Sequence, residues 1–293
     1  MILNQHQLNI QSRLSTLIKS KGNVMNLIFF KPRNIGFLMR MIKERLLELF
    51  LKREDLASDV RNYVLNNAKK NDPDSVLNTM DEFAKRKRFL MNVGDVKGKI
   101  LTDEIKKLGS NLTILELGCF CGYSAILMAK TLGEQGKVIS IEISKHYAKI
   151  ANEIIEFSGL KNKVIIIEGP SEKIIPTLRY EFDLVFIDHW KDLYKRDLQL
   201  IEKRGLLKNQ SIVFADNVGS LIEALVGKRG KSTDYLEYVR NHKNFQSKNI
   251  NTNLEYSNAE DAVEISTYRV TVSYTHLRAH ETRHDLVCRL LLE

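Results

Sequence analysis

A chain of 293 residues that is 43% apolar and 28% charged is long enough for one sizeable soluble domain with appendages, and its core needs no disulfide or metal staple. The net charge of +9 is uneven: residues 1–58 hold ten Lys/Arg against four Asp/Glu, and residues 59–271 keep only +3. A basic patch interleaved with aromatics is thus missing from the part that would fold, which excludes a nucleic-acid surface and predicts no nucleic-acid partner.

Within residues 1–58 no acid precedes Glu44, whereas Arg13, Lys19, Lys21, Lys31, Arg33, Arg40 and Lys43 do, as in transit peptides and membrane-surface helices. The apolar run 24–30 is too short to span a bilayer. Leu38, Met41, Ile42, Leu46, Leu49 and Phe50 recur at helical spacing, so one apolar helical face with cations opposite is expected. Three readings stay open for this arm: a helix packed on the domain, contact with a membrane surface, or an import signal. The expected location is cytoplasmic, with membrane association as the variant.

From residue 59 the pattern changes. Helices are expected over 60–69, 74–84 and 95–108, the second entered through Pro73. Strands follow at 112–117, 138–143, 164–168, 184–188 and 212–215, rich in Val, Ile and Leu without polar alternation, which means burial on both faces. The segments between them, 123–132, 146–158, 171–178 and 193–203, are long enough for right-handed helical crossovers. A helix at 234–242 and strands at 253–256 and 263–270 complete an open, doubly wound α/β sheet with helices on both faces, spanning 59–271.

Residues 272–293 resemble a translated sequencing adapter and are expected to be an artefact tail. Within it, His280-Glu281-Thr282-Arg283-His284 matches H-E-x-x-H, which on a helix would place two imidazoles on one face; the adapter reading sets that zinc-protease option aside. With Cys288 in the tail, Cys119 and Cys121 remain, too few for a disulfide framework or a zinc site, so reduced thiols are expected.

Chemistry concentrates where strands end. The first strand runs into Glu116-Leu117-Gly118-Cys119-Phe120-Cys121-Gly122-Tyr123-Ser124, a glycine turn that lets a ligand approach the backbone before a helix opens. Its G-x-x-x-G spacing disfavours a pyrophosphate grip and hence an NAD-dependent dehydrogenase, while Glu142, closing the second strand, suits ribose hydroxyls. A ribose without a diphosphate suggests S-adenosylmethionine. Glu116 also admits a plain reading as a solvated carboxylate at a strand edge.

Phe186-Ile187-Asp188 and Phe214-Ala215-Asp216-Asn217 are apolar runs that stop at oxygen ligands, and neighbouring strands would bring Asp188, Asp216 and Asn217 together as a hard-oxygen site for Mg2+. Lys191 would stand on the same rim, where a divalent cation disfavours its ammonium form and makes it a general base. Taken singly, each piece also reads as a helix cap or a turn.

Met91-Asn92-Val93-Gly94-Asp95, Glu116 to Ser124, Asp188-His189-Trp190-Lys191-Asp192, Gly205-Leu206-Leu207 and Ala215-Asp216-Asn217-Val218 together resemble the signature segments of the catechol O-methyltransferase family, over about residues 59–270. The resemblance implies a Rossmann-like seven-stranded methyltransferase sheet, Mg2+ dependence, and transfer of a methyl group from S-adenosylmethionine to one hydroxyl of a small-molecule catechol; separately, a monomer is expected. It also implies roles: Asp188, Asp216 and Asn217 for the metal, Lys191 as base, and Glu255 for the second hydroxyl. For the cofactor it points to Met91, Val93, Glu116, Gly118, Tyr123, Ser124, Glu142, Ser171, Asp188 and Trp190. Trp190 admits a core-packing alternative.

The sequence departs from the family pattern at four places. Phe89 stands for a substrate-facing tryptophan, Phe120 for a tyrosine, and Glu172 for a glutamine near the adenine. Residues 219–233 form a longer loop without the usual proline. Two further readings follow from these departures and from the arm: a different acceptor on the same fold, or a non-catalytic partner in membrane-protein trafficking.

Overall fold

The computed structural model describes residues 31–50, 55–219, 221 and 231–270. The adapter-like tail with its H-E-x-x-H match, the run 24–30 and most of the loop 219–233 lie outside the described residues.

Helix α1 (Pro32–Phe50) belongs to the arm, and α2 (Leu56–Asn67), α3 (Pro73–Arg86) and α4 (Gly94–Leu108) lead into the sheet. Local chemistry sets the entrances: Asp55 caps α2 through Ala57 N, and Asp72 accepts from Ser75 N at 3.0 Å with Pro73 as the first residue of α3. The alternating part runs β1 (Thr113–Leu117), α5 (Tyr123–Thr131), β2 (Lys137–Glu142), α6 (Lys145–Phe157), β3 (Val164–Glu168) and α7 (Ser171–Ile174). It continues with β4 (Phe182–Ile187), α8 (Tyr194–Lys203), β5 (Leu207–Ala215), α9 (Thr233–Asn241), β6 (Phe245–Asn253) and β7 (Glu260–Tyr268).

The sheet has seven strands in the order β3-β2-β1-β4-β5-β7-β6. The first five are parallel, and β7 and β6 close the edge antiparallel. Successive residues serve opposite cores: Leu184 and Phe186 pack with the helices on one face, Val185 and Ile187 with those on the other. All four are fully buried, each stabilising the fold by roughly 1.5–3 kcal/mol. Helices α2 to α6 supply the first face and α7 to α9 the second. Because β2 and β3 lie to one side of β1 while β4 and β5 lie to the other, the winding reverses between β1 and β4, and a crevice opens at their carboxyl ends.

Two expectations need correction. The strand expected at 253–256 is instead β6 over Phe245–Asn253, and residues 254–256 form the turn into β7, with Tyr256 at φ 54°. A half-exposed edge strand has no continuous apolar run, so its sequence hides it. In α1 the face turned to the domain carries Asn34, Phe37 and half-buried Met41, while Ile42 and Leu46 of the expected apolar face are exposed, so the reading of that whole face as packed on the domain does not hold.

Candidate functional site

The first half of the site is the glycine turn after β1. Gly118 has φ 98°, and a Cβ there would lie 2.6 Å from the carbonyl oxygen of Asp188, so only glycine lets the turn pass the end of β4. Phe120 at φ 47° and Gly122 at φ 83° finish the turn before Tyr123 and Ser124 open α5. Glu142, ending β2, braces it: Oε2 accepts from the N–H groups of Cys119 (3.1 Å) and Phe120 (2.9 Å), and Oε1 from Ser144 N (2.9 Å).

Glu116 lies below that turn, fully buried, which removes its reading as a solvated edge carboxylate. Oε1 accepts from the Ser124 hydroxyl and Oε2 from the Ser140 hydroxyl. Burial pushes its carboxyl up to about 7; the two hydroxyls oppose the rise, and the charges of Asp188 and Glu142 add to it. Cys119 and Cys121 are buried free thiols, raised well above the ordinary range by burial.

Met91 and Trp190 are 43% and 42% exposed, and Val93 is buried. Such exposure is incompatible with Trp190 as a core-packing residue. Ser171 donates to Asp197 Oδ2 at 2.6 Å, and His189 Nε2 meets the same oxygen at 2.6 Å. Burial would raise Asp197, yet the bonds from His189, Ser171 and Arg196 hold it below its ordinary value.

The second half gathers at the ends of β4 and β5 and in the β6–β7 turn. Lys191 Nζ lies 3.2 Å from Asp188 Oδ1, 3.4 Å from Asn217 Oδ1 and 2.7 Å from Tyr194 Oη, which in turn donates to the backbone oxygen of Asp216 at 3.0 Å. Asn217 Nδ2 donates to Glu255 Oε1 (3.1 Å) and Asp261 Oδ2 (2.8 Å). Asp188, Lys191, Asp216, Asn217 and Glu255 are thereby brought into one constellation, joined through shared partners.

Three of its members were not anticipated. Buried Lys97, from α4, places Nζ 2.7 Å from Asp216 Oδ1 and 2.8 Å from Asp261 Oδ2, and also pairs with Glu255 Oε1. Its position on the same helical face as Leu101 and Ile105 was the available signal, since a lysine in an apolar stripe needs buried partners. Asp261 and Tyr194 left no comparable mark.

One ammonium faces three carboxylates here. Burial alone would strip the proton from Lys97, but the charges of Asp216, Glu255 and Asp261 reverse that and hold it well above its ordinary value. Burial raises Asp216 and Glu255 too, with Lys97 only partly offsetting it. Two buried oxygens, Asp216 Oδ2 and Glu255 Oε2, have no hydrogen-bond partner. Asp216, Glu255 and Asp261 each offer an oxygen within 4.8 Å of the others. Because those three oxygens already converge on Lys97 Nζ, the cluster itself is filled by an ammonium; the unpartnered Asp216 Oδ2, which feels the charge of Asp188, is the hard donor that fits a divalent cation such as Mg2+, and Glu255 Oε2 fits a hydroxyl donor.

A family model described as O-methyltransferase matches residues 67–271. Catechol O-methyltransferase B of Danio rerio is 39% identical over 210 residues, 70% of this chain and 76% of that protein. Catechol O-methyltransferase of Mus musculus is 38% identical over 212 residues, 71% of this chain and 76% of that one. Transmembrane O-methyltransferase of Homo sapiens is 36% identical over 162 residues, 53% of this chain and 55% of that protein. Among solved structures, an O-methyltransferase from Bacillus cereus in complex with SAH superposes with a TM-score of 0.57 at 20% identity, over 78% of this chain and 97% of that one, a likeness of fold.

Proposed function

Since the chain belongs to the O-methyltransferase family, we propose that it moves the methyl group of S-adenosylmethionine onto one hydroxyl of a catechol, with Mg2+ bound by Asp188, Asp216 and Asn217. The observation that carries this reading is the meeting of Lys191, Asp188, Asp216, Asn217 and Glu255 at the sheet edge where the winding reverses. When bound, the cation draws charge from the catechol oxygens and so eases loss of the proton, and the sulfonium supplies a methyl carbon open to in-line displacement.

The protein's own groups do the rest. Lys191 Nζ receives the proton of the attacking hydroxyl; Tyr194 Oη and Asp188 Oδ1 fix where that nitrogen stands. Glu255 accepts from the second hydroxyl at its unpartnered Oε2, because Asn217 and Lys97 occupy Oε1. The hydroxyl oxygen gains the methyl carbon, its proton rests on Lys191, and the donor leaves as a neutral thioether. On the cofactor side, Gly118 lets the turn pass close to the end of β4, and Glu142 has lone-pair capacity beyond its backbone bonds for ribose hydroxyls. Met91, Val93, Tyr123, Ser171 and Trp190 complete the enclosure, while Glu116 and Ser124 support the turn from below.

Methyl transfer from radiolabelled cofactor to a catechol panel, with and without EDTA, tests the reading. Loss of transfer on chelation and in Asp188→Ala is expected; metal-independent transfer, or full activity in that variant, sinks it.

A second feature concerns location. No helix among the described residues is long and apolar enough to cross a membrane. Yet Ile35, Met39, Ile42 and Leu46 form an exposed stripe along α1, 45–61% accessible, within an arm of ten basic and four acidic residues. Apolar side chains flanked by cations suit an anionic lipid surface. The full chain should sediment with phosphatidylserine vesicles but not with phosphatidylcholine vesicles, and Met39→Glu should release it; sedimentation untouched by Met39→Glu rules the stripe out.

A further inference from the structure

Helix α1 lies outside the residues that match the family model, yet it is fastened to the acceptor side of the site. At its amino end Lys31 Nζ pairs with Glu260 Oε2 (2.7 Å) and Arg33 Nη1 with Glu260 Oε1 (3.2 Å). Arg33 also donates to the backbone oxygen of Asn258 and to Asn253 Oδ1, and Asn34 Oδ1 accepts from Glu260 N at 3.1 Å. Exposed ion pairs contribute little energy, so their role here is to fix register and direction.

The buried face does the packing. Phe37 meets Phe89 edge to face, ring centroids 5.1 Å apart at 74°, and both belong to a small apolar cluster with Leu221, Leu254 and Ala259. The Arg40 guanidinium lies 5.7 Å from the same Phe89 ring and donates to the Ala84 carbonyl. Each partner adjoins a group already placed in the site: Phe89 precedes Met91 by two residues, Leu254 precedes Glu255, Leu221 follows Asn217 by four, and Glu260 precedes Asp261. One helix therefore rests against the segments that lead to Glu255 and Asp261 and the one that follows Asn217, and against Phe89.

We infer that α1 is the outer wall of the acceptor site and that Phe37 is a positioning residue, setting through Phe89 and Leu254 which catechols fit and which hydroxyl is presented. The inference rests on the proposed methyl transfer for the meaning of "acceptor side". It makes the arm a determinant of specificity on a site whose chemistry resides elsewhere.

The test uses the full chain with Phe37→Ala, with Phe37→Leu as the milder variant should the first fail to fold, and with the double substitution Lys31→Glu and Arg33→Glu. Three quantities are read: KM and kcat for 3,4-dihydroxybenzoate with the ratio of its two monomethyl ethers, calorimetric binding of 4-nitrocatechol, and the Kd of S-adenosylhomocysteine from quenching of Trp190, the single tryptophan. Loss of one aromatic pair should raise KM and the nitrocatechol Kd about three- to tenfold and shift the isomer ratio. The S-adenosylhomocysteine Kd should stay within about twofold, and Phe37→Leu should fall between. An unchanged isomer ratio and nitrocatechol Kd in folded variants overturn the inference, as does an equal loss on the cofactor side. If the unaltered chain binds nitrocatechol but methylates nothing, the proposed reaction fails while the wall is still judged by binding.

Discussion

The two halves of the site satisfy their polar atoms in opposite ways. At the glycine turn, Glu116 has a hydroxyl on each oxygen and Glu142 holds three backbone N–H groups, so this half is rigid before any ligand arrives. At the end of β5 and around the β6–β7 turn, three carboxylates share one ammonium, and Asp216 Oδ2 and Glu255 Oε2 have no hydrogen-bond partner among the described residues. A closed network holds a shape, while an open one holds capacity for charge and for hydrogen bonds yet to be made. On the proposed reading, the closed half is the binding architecture and the open half the reacting centre.

Removing the ammonium should break the contrast most severely. Lys97→Met would leave three buried carboxylates without their cation, and breaking a buried ion pair in this way costs about 3–5 kcal/mol. Urea unfolding should show that loss, and added Mg2+ should restore part of it by supplying the missing charge. Wild-type stability in the variant would mean that the carboxylates already share protons and that the open half is not charged as argued.

The closed half should respond to pH. Glu116 titrates at about 7 when folded against 4.5 unfolded, so the folded state holds the proton more tightly. Its contribution is fully present below pH 4.5 and declines as pH rises through about 7, by roughly 3 kcal/mol at 1.36 kcal/mol per pH unit. Glu116→Gln should flatten the stability profile across that window, because a neutral amide can keep the bonds to Ser124 and Ser140. An unchanged slope would assign the pH dependence to another group.

What the sequence disclosed follows the same division. Buried parallel strands declare themselves by unbroken Val/Ile/Leu runs, and the glycines and terminal carboxylates of β1, β2, β4 and β5 fall where the crevice opens. The hidden parts depend on long-range partners. Strand β6 is an edge strand with polar residues on both faces. The buried side of α1 is chosen by Phe89 and Glu260, more than fifty and two hundred positions away, and not by the helix's own apolar spacing. Lys97 and Asp261 meet across 164 positions, a pairing that no local pattern encodes.

The smallest expected effect joins the halves of the reacting centre. Tyr194 Oη accepts from Lys191 at 2.7 Å and donates to the Asp216 backbone oxygen at 3.0 Å, while its ring stacks on His189 at 5.2 Å. Tyr194→Phe keeps the stack and deletes both bonds, at a cost of about 1–2 kcal/mol for the hydrogen bonds of a buried hydroxyl. If the hydroxyl matters by holding Lys191 where the catechol proton departs, kcat should fall about tenfold while acceptor KM and cofactor Kd hold steady, since the lost interaction acts on the reacting atoms and not on binding. A variant with full kcat would show that Asp188 alone aims the lysine. A rise in KM would show instead that the tyrosine shapes the pocket, and the open half would then owe its geometry to packing more than to its polar network.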